Sequence, residues 1–275
     1  MEIGVVNILK KDKLDSIFDR VASFGVKTCQ LHSWEPDLFT DEIAEKVCAQ
    51  SKKTGVRVCA LWAGYTGRVY WNFTEGPITL GFLPPEHRYH RIMELKKAAD
   101  FAKKIGTKAI ITHCGFLPEN MTDSNYKPVL LAIKEVAEYC KKLDVGFWFE
   151  TGQETPVVLL RVIQDLGLDN LGINLDPANL LLYGKGNPID SLEVFGKYVH
   201  NIHVKDGMPP TNGRDLGKEV QVNTGRVQFP LFIKRLREIG FDEELIIERE
   251  IPEGDEQKRD IQETINNLQA WWDAK

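Results

Sequence analysis

The sequence predicts an α/β fold: one (β/α)8 TIM barrel, spanning residues 1–275, with its active site at the C-terminal ends of the strands. Three observations carry that reading. Short apolar runs alternate without a break with longer segments of helical period. Eight such pairs fit into 275 residues, and parallel strands with helical crossovers close into a barrel at about 250 residues. No GxGxxG or GxxxxGKS/T follows any strand, so neither nucleotide fingerprint supports an open doubly wound sheet.

In chain order, "IGVV" (3–6) precedes a helix over about 13–24, and "CQLHS" (29–33) precedes one over 41–54. "VRVCALW" (56–62) leads through a long loop to "RIMELKKAADFAKKIG" (91–106). "KAIITHC" (108–114) is followed by "VLLAIKEVAEYCKKLD" (129–144), and "VGFWFE" (145–150) by "PVVLLRVIQDLG" (156–167). "LGINLD" (171–176) is followed by helical residues as far as Tyr198, and "VHNIHVKD" (199–206) by a loop and "PLFIKRLREIG" (230–240). "ELIIERE" (244–250) and a helix over about 256–272 complete the set. The connections 63–90, 115–127 and 206–229 are unusually long and all leave C-terminal strand ends, where barrel enzymes place their chemistry. No linker, low-complexity tract or repeat divides the chain, so one domain is expected.

Composition narrows the class. Hydrophobic residues make up 43% and charged residues 27%, the balance of an ordinary globular protein. A net charge of −5 leaves no reserve for a polyanion, which argues against nucleic acid. No apolar run reaches the roughly 18 to 20 residues of a membrane span. The start, "MEIGVVNILKKDKL", lacks the basic region and cleavage site of a signal peptide. Five scattered cysteines without CxxC spacing point to reduced thiols and a cytoplasmic location. A homo-oligomer, dimer or tetramer, is left open.

The informative residues lie at strand ends: Glu150, Asp176, His203 with Lys205, and Glu248 with Glu250. Side chains alternate along a strand, so His203 and Lys205 share the inward face while Ile202 and Val204 meet helices. In the last strand Leu245 and Ile247 face the helices, leaving Ile246, Glu248 and Glu250 inward. Three carboxylates and an imidazole from four consecutive strands then converge. Packing such charges together without a cation costs several kcal/mol. Lys205 compensates one charge, not three. A single divalent ion resolves the conflict, Mn2+ first by its preference for oxygen donors, with Mg2+, Co2+ or Zn2+ as alternatives.

Taken singly, a strand-end carboxylate is more often a helix N-cap or a surface ion pair, and Asp176 before "PANLLL" makes a good N-cap with Pro177 at the first helical position. Four on successive strands are harder to explain in that way. His113 reads as a distant ligand, a substrate contact or a core histidine, the substrate contact being preferred. His200 reads as scaffold, and His32, His87 and His90 as ordinary. Trp34, Trp62, Tyr65 and Trp148 would wall a sugar pocket or fill the core.

"FETG" (149–152), "NLDPANLLL" (174–182), "HNIHVKDG" (200–207) and "LIIERE" (245–250) together resemble the sugar phosphate isomerase/epimerase family, within the xylose isomerase-like barrels. The resemblance implies one divalent ion held by Glu150, Asp176, His203 and Glu248; a shifted register would put Glu250 in place of Glu248. The chain departs from the ketose 3-epimerases, with Asn179 where they carry a His and Pro156 where they carry an acid. It departs further from the apurinic endonucleases, whose additional histidines it lacks.

A keto-sugar chelating such an ion would pass through an enediolate, with Glu150 and Glu248 exchanging the proton on opposite faces. Epimerisation or isomerisation follows, or, with a β-substituent lost, a lyase or dehydratase reaction. A catalytically silent carbohydrate-binding barrel is the remaining reading. Lys205, His113, Asn179 and Gln153 are candidate substrate contacts, as are Trp34 and Trp62. Arg214 and Arg226 are candidates for a carboxylate or phosphate on the substrate.

Overall fold

A computed structural model of the protein, describing residues 1–274, closes eight parallel strands into a barrel. They are β1 (Glu2–Ile8), β2 (Thr28–Ser33), β3 (Arg57–Ala63), β4 (Ala109–Thr112), β5 (Gly146–Glu150), β6 (Leu171–Leu175), β7 (Val199–Val204) and β10 (Glu244–Ile247). Around the barrel they run β1-β10-β7-β6-β5-β4-β3-β2. The outward residues of the strands, among them Ile202, Val204, Leu245 and Ile247, pack with the helices in one large core. A smaller apolar cluster fills the lumen, where Cys59, Ala60, Ala109, Ile111 and Ile246 surround Trp62 and Trp148. Two-residue alternation thus sorts the strands as expected, and the lumen is packed rather than open.

The helices are α1 (Asp19–Ser23), α2 (Asp41–Thr54), α3 (Gly76–Thr79), α4 (Pro85–Ile105), α5 (Tyr126–Lys142), α6 (Pro156–Leu166), α7 (Pro177–Leu182), α8 (Pro188–Phe195), α9 (Phe229–Glu238) and α10 (Asp255–Asp273). Side-chain caps start four of them. Thr40, Thr155, Asp176 and Asn187 each accept a backbone N–H of the first turn, and proline opens α6, α7 and α8.

Three expected elements differ. The helix expected over 13–24 is a 3-10 turn at Lys11–Ser16 followed by the single turn of α1. α4 begins at Pro85, six residues before the expected start at 91, because its first turns are exposed and carry no apolar period. The helical stretch expected through Tyr198 divides into α7 and α8, since Gly184 at φ 61° turns the chain and Pro188 restarts it. The loop after β7 also carries a two-stranded antiparallel ribbon, β8 (Asp206–Met208) with β9 (Lys218–Val220).

The N-terminal floor of the barrel is closed by ion pairs and a stacked ring. Glu244 takes Arg57 at 2.8 Å and Lys108 at 3.0 Å. Trp148 stacks on His200 at 5.3 Å, and His200 Nδ1 lies 2.7 Å from Glu243. His200 is therefore scaffold, and Trp148 belongs to the floor rather than to a sugar pocket.

Two long loops at the opposite face are each fixed by one buried charged residue. Arg91 donates to the carbonyls of Thr66, Arg68, Thr79 and Gly81 and lies over the Tyr65 ring at 4.3 Å. Tyr65 is bonded in turn to His113 O and Gly81 N, so it supports the loop rather than facing a ligand. Gly81 has φ 64°, and a Cβ there would meet Cys114 O at 1.8 Å, so only glycine fits. In the second loop Asp206 accepts four backbone N–H groups, from Gly207, Asn223, Gly225 and Val227, at 2.8 to 3.0 Å. Among the described residues no helix is long and apolar enough to cross a membrane.

Candidate metal centre

Four strands deliver the charged cluster. Glu150 ends β5, Asp176 follows β6, His203 lies in β7 and Glu248 follows β10, its N–H still bonded to Val204 O at 3.2 Å. One ligand atom from each of these four lies within 4.8 Å of the others, and all four residues are buried. His32, His203 and Glu248 form an overlapping trio by the same measure. Glu250 is not in either group; its side chain is 58% exposed and reaches Lys205 Nζ at 3.0 Å.

His203 is oriented from behind. Its Nε2 lies 2.7 Å from Gln30 Oε1, across the barrel in β2. That leaves Nδ1 facing the carboxylates, 3.1 Å from Glu150, 3.2 Å from Glu248 and 3.8 Å from Asp176. None of these is aligned as a hydrogen bond, and Nδ1 is buried without a partner. Asp176 shows the same division of labour between its two oxygens. Oδ1 accepts the Asn179 N–H at 2.9 Å and caps α7, while Oδ2 has no hydrogen-bond partner although Lys205 Nζ lies 3.3 Å away. The capping and ligand readings of Asp176 are therefore compatible.

Buried polar atoms without partners are costly. Three carboxylate oxygens and one imidazole nitrogen are the donor set of a hard to borderline divalent cation. The residues present fit such an ion, and Gln30 supplies the outer contact that fixes the imidazole tautomer.

The two glutamates have different supports. Glu150 takes the Trp62 indole N–H on Oε2, with Asn179 Nδ2 at 3.5 Å from Oε1 and His113 Nε2 at 3.6 Å from Oε2. Glu248 is held by Lys205 Nζ at 3.0 Å. Burial alone would raise the Glu150 pKa, but the His113 and His203 rings outweigh it and bring it down to about 2. Burial opposes the charge of His203 as well, and there Glu248 and Glu150 outweigh it, raising its pKa well above the ordinary value. At His32 burial outweighs the same two glutamates and takes its pKa down to about 4.

A cavity of about 300 Å3 opens over the cluster, walled by Trp34, Trp62 and Trp71 and bounded by His113, Tyr183 and Lys205. Trp34 and Trp62 rings are 4.7 Å apart, and Trp71 meets His113 edge-on at 5.0 Å. Of the residues singled out from sequence, Trp34, Trp62, His113, Asn179 and Lys205 line this space with the two glutamates. Gln153 is buried with neither amide atom paired and does not line it. Arg214 and Arg226 are exposed on the 206–229 loop and line no part of it; the loop contributes Leu216 instead.

Sequence reading passed over four residues that matter here. Gln30 and His32 occupy inward positions of β2, a signal that alternation already contained. Trp71 and Tyr183 come from loop segments whose path only folding determines.

The model of the xylose isomerase-like TIM barrel family matches residues 18–271. The chain belongs to that family. Over 98% of its length and 96% of the other chain it superposes on a xylose isomerase domain protein from Planctomyces limnophilus, with a TM-score of 0.92 and 34% identity. A D-tagatose 3-epimerase-like protein shares the fold at a TM-score of 0.72 and 17% identity, covering 98% of this chain and 97% of that one. So does a 3-keto-D-glucoside 4-epimerase from E. coli, at 0.72 and 15%, covering 98% and 99%. An uncharacterised protein of Methanocaldococcus jannaschii is 25% identical over 169 residues, so the match spans 56% of this chain and about half, 55%, of that relative.

Proposed function

We propose that this family member is a divalent-metal-dependent isomerase or epimerase of a keto-sugar or sugar derivative. The observation that carries the reading is the cluster of Glu150, Asp176, His203 and Glu248, with two buried ligand atoms unpaired, beneath a cavity walled by three tryptophans. Mn2+ is the first choice of ion, with Mg2+, Co2+ and Zn2+ as alternatives. When bound, the ion supplies positive charge for the oxygens of an enediolate.

The chain's own groups do the rest. The cavity suits one sugar ring, whose C–H faces lie against indole. Glu150 and Glu248 reach it from walls of the barrel separated by two strands, so one removes a proton from a ring carbon while the other, protonated from solvent, delivers its own proton to the opposite face. Trp62 and Asn179 orient the first carboxylate and Lys205 the second. Lys205 and His113 hold substrate oxygens. Five free cysteines suit a reducing, cytoplasmic setting.

A keto-sugar lyase or dehydratase is the second reading, favoured by Glu250, a further carboxyl that lines the same cavity, pairs with Lys205 and is placed to protonate a departing oxygen. The test is proton NMR in deuterated water with Mn2+ and a panel of keto-sugars. Deuterium incorporation at a retained carbon supports the first reading, and loss of water or an alcohol the second. No exchange with any sugar, together with no bound divalent ion, would leave a binding barrel.

A further inference from the structure

A second cavity, of about 610 Å3, opens beside the first between the end of β1 and the segment after β10. The two share His32, Trp34, Glu248 and Glu250 as a common wall. Its frame is built without a ligand. Buried Gln257 donates to the carbonyls of Arg249 at 2.8 Å and Ile251 at 2.9 Å and accepts from Arg20 at 2.8 Å. Arg20 in turn donates to Val6 O at 3.1 Å.

The lining is amphipathic. Ile8 and Trp34, 52% and 41% exposed, form an apolar bench, and β-sheet register sets Ile8 beside His32 at the mouth. Exposed side chains of this size grouped in a concave wall mark a contact surface rather than packing. Ser16, Lys10 and Glu253 supply polar groups on the other side. The cations of this wall are engaged by the protein itself: Lys10 and Lys13 lie 3.0 and 3.7 Å from the one carboxylate of Glu253, Arg249 lies 2.9 Å from Glu219 and 2.8 Å from Asp260, and Arg20 is held by Gln257 and Val6 O.

We propose that this cavity is a subsite for a second sugar unit, so that the substrate class is the keto-glycosides rather than free monosaccharides. The second ring lays its C–H face on Ile8 and Trp34 and turns its hydroxyls toward Ser16 and the Lys10–Glu253 pair. Placing the keto ring over the carboxylate cluster rests on the function proposed above; the subsite itself rests on its own lining.

The experiment is calorimetric titration of the full-length, Mn2+-loaded protein with 3-ketocellobiose, 3-keto-D-glucose and 3-keto-D-glucose 6-phosphate, repeated on Ser16→Trp and Ile8→Asp. Both positions are exposed, and circular dichroism reports separately on whether each variant folds. The disaccharide is expected to bind about tenfold or more tighter than the monosaccharide, and either variant to remove that advantage while leaving monosaccharide affinity unchanged. Equal affinities, preference for the phosphate, losses shared equally by both ligands, or no binding of any of the three would overturn the subsite. Deuterium exchange is followed in parallel. Its absence would sink the proposed chemistry, whereas a disaccharide preference removed by the variants would still establish the subsite.

Discussion

Gln30 Oε1 lies 2.7 Å from His203 Nε2 across the barrel, and this contact leaves Nδ1 as the ring nitrogen that faces three carboxylates. When the ring gives up a proton to bind an ion, the proton it keeps is therefore the one on Nε2, held by a residue from a distant wall.

Replacing Gln30 with Leu removes that acceptor while keeping a similar volume. Mn2+ affinity should fall about ten- to a hundredfold, the usual effect of losing an outer contact to a metal ligand. Calorimetric titration reads the loss, and circular dichroism should show the fold retained. Unchanged affinity would mean that Gln30 does not orient the ligand.

Metal binding should release a proton. Without metal, His203 is held charged by Glu248 and Glu150 despite its burial, whereas a metal ligand must be neutral. Affinity should therefore rise with pH, up to about tenfold per unit, until His203 has deprotonated. Heats measured in buffers of different ionisation enthalpy give the proton count, and buffer-independent heats would refute it.

The same shift sets the pH dependence of the metal-free protein. A raised histidine pKa stabilises the fold fully below its unfolded value of about 6.5, and that contribution is lost as pH climbs through the folded value. Glu150, lowered to about 2, contributes above its unfolded value of about 4.3 and loses that contribution as pH falls toward 2. The metal-free melting temperature should thus decline on the alkaline side as well as in acid. The metal-loaded form, whose His203 is already neutral, should not share the alkaline decline.

Glu150→Gln and Glu248→Gln should each reduce deuterium exchange by about two to four orders of magnitude. Each variant keeps the size of its side chain, so melting temperatures report separately on folding. Full exchange in both variants would exclude a two-carboxylate mechanism.

Arg91→Met strands four carbonyls of the 64–84 loop and should cost about 2 to 4 kcal/mol in denaturant unfolding. Trp71 rides on this loop, so sugar KM should rise more than kcat falls, with earlier proteolytic cleavage between residues 64 and 84. Arg91→Lys, with three donors in place of five, should recover only part of the stability.

Most of the barrel could be read from the chain because its two governing periods are local. Alternation of two placed Ile202 and Val204 against helices and turned His203 and Lys205 inward, and the helices α2, α5 and α6 announced themselves through apolar spacing. The same rule pointed to the lumen for Glu150 and Glu248. What the chain alone could not decide was which loop residues meet across space. Trp71 reaches His113 only because Arg91, at the start of a long helix, gathers four carbonyls from a distant loop. Arg214 and Arg226 lie exposed outside the cavity, on a loop whose later residues Asp206 ties down through Asn223, Gly225 and Val227 N–H. Gln30 meets His203 because barrel closure brings opposite walls together. Side-chain direction follows from backbone geometry over a few residues. Contact between segments far apart in sequence depends on closure of the sheet and on satisfying buried polar groups, and those are properties of the whole fold.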